Sequence, residues 1–170
     1  TTYEEPPNVI IAHLSGLDSV GHRYGVKDSK EYADKLIWLD EHFATIFAKV
    51  PDSWTVVVTA DHGLTDSGQH GSPDLEIREV GAWIWGPNVK QNYYYPEQID
   101  QRDLATLPSL LFSLPLPHAV HGKFPLDAFQ LTEERHQELN QWNWDALIAR
   151  NEWMETNNHP YFEDISRDNI

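Results

Sequence analysis

Apolar positions along the chain follow two different rhythms. From Asn8 to Leu14 (NVIIAHL) and from Trp54 to Ala60 (WTVVVTA) they form short runs rich in β-branched residues. Such runs read as strands buried on both faces, as in a parallel sheet. From Ser29 to Lys49, by contrast, Tyr32, Leu36, Leu39, Phe43, Ile46 and Phe47 recur near helical spacing. This predicts an amphipathic helix with Ser29 as its N-cap, closed by Pro51 and Asp52. Val80 to Trp85 (VGAWIW) predicts a third strand, ended by Gly86 and Pro87, with Trp83 and Trp85 at core and interface positions. Helices are predicted from Asp103 to Phe112 and from Thr132 to Arg150, the latter capped by Thr132. Gly16 and Gly21 bracket a predicted loop. A second loop, rich in Gly, Asp and Ser, runs from Asp61 to Asp74.

Strand, helix, strand in this order is a βαβ unit. The expected fold class is therefore α/β, a mostly parallel sheet flanked by helices with right-handed crossovers. Residues 131–170 are expected to form a helical tail and a surface arm beyond it.

Composition narrows the chemistry more than the fold. The chain has 170 residues, 40% hydrophobic and 12% aromatic with seven Trp, enough for one packed domain. Its net charge of −15 excludes nucleic acid as a general partner and disfavours anionic membrane. An anionic substrate would need local positive charge, which bound divalent cations supply. There is no Cys, so disulfides and thiolate metal sites are excluded. Any metal must take oxygen and imidazole ligands. No apolar run reaches the length of a membrane-spanning helix, and no signal peptide is seen.

Two clusters carry the candidate chemistry. Asp18 and His22 lie in LDSVGH, past the end of the first predicted strand. Asp61, His62 and Gly63 follow the strongest predicted strand, with His70 in GQHG just beyond. Ligand sites of open α/β sheets lie outside the carboxyl ends of the strands, so both clusters point to one rim. Carboxylate with imidazole is a donor set suited to zinc. Asp18, His22 and His70 could form one three-ligand set with an open position, and Asp61 with His62 half of a second. Two metal ions about 3.5–4 Å apart make a clamp for displacement at phosphorus. The plainer reading has Asp18 and Asp61 capping turns by accepting backbone hydrogen bonds. His13 reads first as a core histidine, and otherwise as a substrate contact or a support for the ligands. His42, His136 and His159 read as surface groups, and Thr65 and Ser67 as loop caps. His118 and His121 flank the end of the LPLP segment.

These stretches resemble the later part of the alkaline phosphatase superfamily domain, in its phosphodiesterase and GPI ethanolamine-phosphate transferase branch. The resemblance rests on HLSGLDSVGHRYG (His13 to Gly25), SKEYADKLIWLDE (Ser29 to Glu41), VVVTADHGLTDSGQHG (Val56 to Gly71), IREVGAWIWGP (Ile77 to Pro87) and Gln98 to Lys123. It implies that residues 1–130 are the carboxyl-terminal portion of such a catalytic domain, incomplete on its N-terminal side. It implies Asp18, His22 and His70 on one metal and Asp61 and His62 on the other. The ions would be zinc, with manganese as the alternative. It implies a metal-dependent hydrolase or transferase acting on phosphate esters, with an extracytoplasmic location. The hydroxyl nucleophile and one more metal ligand are expected upstream of LDSVGH. On this reading the chain alone is inactive, and its partner is the missing N-terminal half or a second copy. The alternative is a non-catalytic metal-binding or structural subunit derived from such an enzyme.

Overall fold

Ser29 caps the helix that the periodicity predicts: its Oγ accepts the Tyr32 N–H at 3.2 Å, and α2 runs Lys30–Phe47. Tyr32, Lys35, Leu39, Phe43 and Phe47, three or four apart, form its inner face, with Leu39 fully buried. Leu36, Ile37, Trp38 and Ile46 remain exposed. The computed structural model describes residues 7–117 and 121–159. Its elements in chain order are α1 (Gly16–Tyr24), α2, β1 (Val56–Thr59), α3 (Leu75–Arg78), β2 (Ala82–Trp85), α4 (Gln101–Leu104), α5 (Leu107–Phe112), a 3-10 turn (Leu126–Ala128) and α6 (Glu133–Thr156). The chain divides into two units, Thr1–Trp83 and Ile84–Ile170.

Helices and strands mix in a way consistent with an alkaline phosphatase-like domain, but the sheet is small. Among the described residues it consists of β1 and β2 alone. Residues 8–14 form no ladder, and Ile11 is 91% exposed. A strand apolar on both faces is stable only between neighbours that take up its hydrogen bonds and cover its side chains. None of the described residues does so for 8–14. The same shortage shows in β1, where Val56 and Val58 are half-buried while Val57 and Thr59 are exposed. It is covered on one face, not on two. Trp83 and Trp85 are likewise exposed, not core.

The segment between Gly16 and Gly21 is a helix, not a loop. Ser15 starts α1, its carbonyl accepting from the Ser19 N–H and hydroxyl. Gly25, at φ +78°, ends it. Glycine weakens a helix without forbidding it, and Gly21 is buried on the face turned toward Leu64 and Tyr32.

In the second unit the helix predicted over 103–112 is broken in two, with Pro108 in the first turn of α5. Proline lacks an N–H and suits a helix start better than an interior. Asp100 opens α4 with a capping box: its side chain accepts the Arg102 N–H at 2.8 Å, and Asp103 answers at the Asp100 N–H at 2.9 Å. The hydrogen bonds from Arg102 hold the Asp100 carboxyl below its ordinary range. A depressed carboxyl contributes stability above its unfolded pKa and loses it as pH falls through the folded one. Replacing Asp100 with Ala is expected to cost about 1 kcal/mol at neutral pH. The cost should shrink under acid, below roughly pH 4, in urea melts at the two pH values.

The core of this unit packs Val89, Leu107, Ala128 and Phe129 in one group and Phe124, Leu126 and Leu139 in another. Thr132 caps α6 by accepting the Arg135 N–H at 3.2 Å. The helix continues six residues past the predicted end at Arg150, to Thr156. Its inner face mixes Leu139, Leu147 and Met154 with buried Asn143, Arg150 and Asn151. His118 and most of the expected arm, 160–170, lie outside the described residues.

Candidate metal centre

Three elements of the first unit supply the candidate ligands. On α1, Asp18 and His22 stand four residues apart, so both project from one face. After β1, the backbone of Gly63 is pinned against α3. Its N–H donates to the Ile77 carbonyl at 2.8 Å, and a Cβ there would lie 2.0 Å from the Glu76 carbonyl oxygen. Only glycine fits, and His62 is its neighbour. His70 follows a tight turn over Thr65 to Gln69.

The centre of the arrangement is one atom, Asp18 Oδ1. His22 Nε2 stands 3.3 Å from it and His70 Nε2 3.7 Å. Donor atoms of Asp18, His62 and His70 lie within 4.8 Å of one another. The His62 and His70 rings stack at 4.0 Å, and the His22 and His70 rings tilt together at 4.9 Å. The imidazole nitrogens converge on the oxygen without hydrogen-bond geometry, and Oδ1 is buried with no hydrogen bond. A buried carboxylate oxygen left so is costly, whereas nitrogens and a carboxylate facing a common point suit a cation. The Nδ1 of His62 lies 3.0 Å from the Gly63 carbonyl. A carbonyl only accepts, so Nδ1 carries the hydrogen and the lone pair is on Nε2. This backbone support is usual for metal-bound histidine.

Asp18, His22 and His70, the set the resemblance implies for one metal, lie together, and His62 stands beside them with Asp18 and His70. The Asp61 side chain is 72% exposed, and its Oδ1 accepts the His62 N–H at 3.1 Å. Its other oxygen lies 3.7 Å from His62 Nε2. His13 is exposed and so is no core histidine. Tyr32, packed beside Gly21, has its phenol pushed above the ordinary value by burial and then by the charge of Asp18. Sequence reasoning passed over it because a tyrosine on an amphipathic helix looks like any other core position. His42 lies on the α2 surface, stacked on Trp38. In the second unit, His121 meets Arg150 and His136 meets Asp127. Thr65 caps the loop, its Oγ1 accepting the Gln69 N–H at 3.0 Å, and the Ser67 hydroxyl lies 3.1 Å from the Thr65 hydroxyl.

Comparison with known proteins identifies the family. Residues 1–100 match the type I phosphodiesterase / nucleotide pyrophosphatase family. The chain is 31% identical over 161 residues to GPI ethanolamine phosphate transferase 1 of Schizosaccharomyces pombe, covering 79% of this chain and 17% of that protein. It is 30% identical over 131 residues to the human GPI ethanolamine phosphate transferase 3 catalytic subunit, covering 75% of this chain and 12% of that protein. No solved structure matches. The chain belongs to the type I phosphodiesterase / nucleotide pyrophosphatase family, within the alkaline phosphatase superfamily. It spans less than a fifth of the length of these curated relatives.

No helix among the described residues is long and apolar enough to cross a membrane.

Proposed function

We propose that this chain provides the metal-holding rim of an enzyme that transfers or hydrolyses phosphate esters, with phosphoethanolamine transfer the favoured reaction. The observation that carries this reading is the convergence of Asp18, His62 and His70 around a buried, unsatisfied carboxylate oxygen. The family, and relatives that are GPI ethanolamine phosphate transferases, support the substrate class. Asp18, His70 and His62 would hold a divalent cation, with His22 positioned to complete the set. Asp61 is the candidate ligand for a second ion. Nitrogen and oxygen donors without thiolate favour zinc over harder cations, with manganese the alternative.

A cation held there would polarise a phosphoryl oxygen and offset its negative charge. The chain's own residues do the positioning. Helix α1 presents Asp18 and His22 together, the Gly63 carbonyl fixes the His62 ring, and the turn at Thr65 brings in His70. In a protein of net charge −15 this is also where an anion would meet positive charge.

The test is metal uptake by the purified chain, read by elemental mass spectrometry, followed by phosphorus NMR. We expect about one zinc or manganese per chain at the site built on Asp18. The manganese-loaded chain should broaden the phosphorus resonance of phosphoethanolamine, and the metal-free chain should not. A chain that takes up no divalent metal sinks the proposal. Metal uptake without broadening would leave a metal-binding module and remove the phosphate-ester function.

A further inference from the structure

We infer that Gly68 is a positioning residue for the metal centre. Its bare Cα lets the loop carrying His70 sit directly on the backbone of α1, and this contact sets His70 beside Asp18. The inference rests on the metal-binding reading of Asp18, His62 and His70.

Gly68 is buried, and its neighbour is main chain, not side chain. A Cβ on it would lie 1.9 Å from the Gly21 carbonyl oxygen, 2.5 Å from that carbonyl carbon and 3.2 Å from the His22 nitrogen. No methyl fits at such distances, and the backbone of a helix cannot turn aside as a side chain can. The place of contact matters as much as its closeness. Gly21 and His22 belong to the turn of α1 that follows Asp18, and His70 lies two residues beyond Gly68. One backbone contact therefore joins the two segments whose side chains converge on Asp18 Oδ1.

The loop is held by a second fastening. The Asp66 carbonyl accepts the Val26 and Lys27 N–H groups at 3.0 and 3.2 Å, and the Asp66 carboxylate meets Lys27 Nζ at 3.1 Å. Inside the loop, Gly68 N–H donates to the Thr65 carbonyl at 2.8 Å, and Gln69 N–H donates to Thr65 Oγ1 at 3.0 Å. The turn is thus stiff enough to carry the seat at Gly68 through to His70.

Gly71 provides the contrast. It flanks His70 on the other side and also has a positive φ, +93° against +77° for Gly68, yet nothing lies within 4 Å of a Cβ placed on it. An alanine meets backbone strain at both positions, but it collides with α1 at one only.

The experiment compares the chain with Gly68→Ala, Gly71→Ala and Thr65→Val. Zinc affinity is measured by competition with a chromophoric chelator, and geometry by the visible absorption of the cobalt-loaded chain. Hydrogen exchange at the Val26 and Lys27 amides is followed in metal-free protein. Gly68→Ala should weaken zinc by about 10–100-fold, the range seen when groups that orient metal ligands are removed. It should also shift the cobalt band and unprotect both amides, while exchange in the second unit stays unchanged. Thr65→Val, which crowds nothing, should act in the same direction by a smaller factor, so the idea stands testable even if Gly68→Ala misfolds. Gly71→Ala should keep the two amides protected. Unchanged zinc affinity and protection in Gly68→Ala would overturn the inference, as would equal loss of protection in Gly71→Ala. A wild-type chain that binds no zinc refutes the metal reading instead. In that case the exchange data still decide whether Gly68 seats the loop.

Discussion

Replacing Asp18 with Ala should all but abolish zinc binding while leaving the metal-free chain at least as stable as before. The two effects have one cause. Asp18 Oδ1 lies at the meeting point of the imidazoles, with His22 Nε2 at 3.3 Å and His70 Nε2 at 3.7 Å, and it is buried without a hydrogen bond. That oxygen is shielded from solvent and accepts no hydrogen bond, a costly position for a carboxylate. Alanine removes the unsatisfied atom and with it the carboxylate on which His22 and His70 converge. Loss of a group that merely orients a ligand costs about 10–100-fold in metal affinity, so loss of this ligand should reach about 100-fold or more. Equilibrium dialysis gives the affinity, and urea melts with and without zinc give the stability. A variant that binds zinc as tightly as the natural chain removes Asp18 from the site. A variant much less stable without metal makes Asp18 a structural group.

Asn143→Ala should unfold the second unit under much milder conditions. Asn143 is 3% exposed and serves two backbone groups at once. Its Oδ1 accepts the Phe124 N–H at 2.8 Å, and its Nδ2 donates to the Gly122 carbonyl at 3.2 Å. The side chain thus fastens the segment before the 3-10 turn to the middle of α6. Alanine strands both backbone groups and leaves a small cavity beside Phe124. A buried unsatisfied group costs about 1–3 kcal/mol, so about 2–4 kcal/mol is expected for the pair with partial relaxation. The Trp142 and Trp144 fluorescence reports on the same helix, and the midpoint of its urea transition measures the effect. A shift under about 0.5 kcal/mol, usual for surface changes, would mean the two bonds do not hold the unit together.

What could be read in the sequence was whatever is decided locally. Ser29 and Thr132 mark their helices because an N-cap acts within three residues of itself. α2 shows its inward face through Tyr32, Leu39, Phe43 and Phe47 for the same reason. The fate of Asn8 to Leu14 depends instead on partners that a run of apolar residues cannot name, and the expected strand is absent. The helix through Asp18 was obscured by glycines, whose usual meaning is a turn, whereas Gly21 serves close packing. Asn143, Arg150 and Asn151 disguise the buried face of α6, because polar residues that lie in a core look like surface in the sequence. The candidate ligands were visible as residue types. The nearness of Asp18, His22 and His70 was expected, but that of His62 to Asp18 and His70 was not, since it depends on backbone contacts at Gly63 and Gly68.

The exposed stretch ahead of α1 bears on the centre in a further way. Leu14 is separated from Asp18 by three residues, and Ser15, between them, begins the helix that holds the carboxylate. Whatever engages residues 8–14 as a strand therefore acts on the start of the same short helix that an ion engages a turn later. Two ligands that share one rigid segment are thermodynamically linked, and the linkage is reciprocal, often worth about 1–3 kcal/mol. A strand partner that aligns α1 for the ion tightens metal binding, and the ion tightens the hold of that partner by the same factor. Were such a partner and an ion both to engage α1, assembly and metal loading would be two readings of one equilibrium.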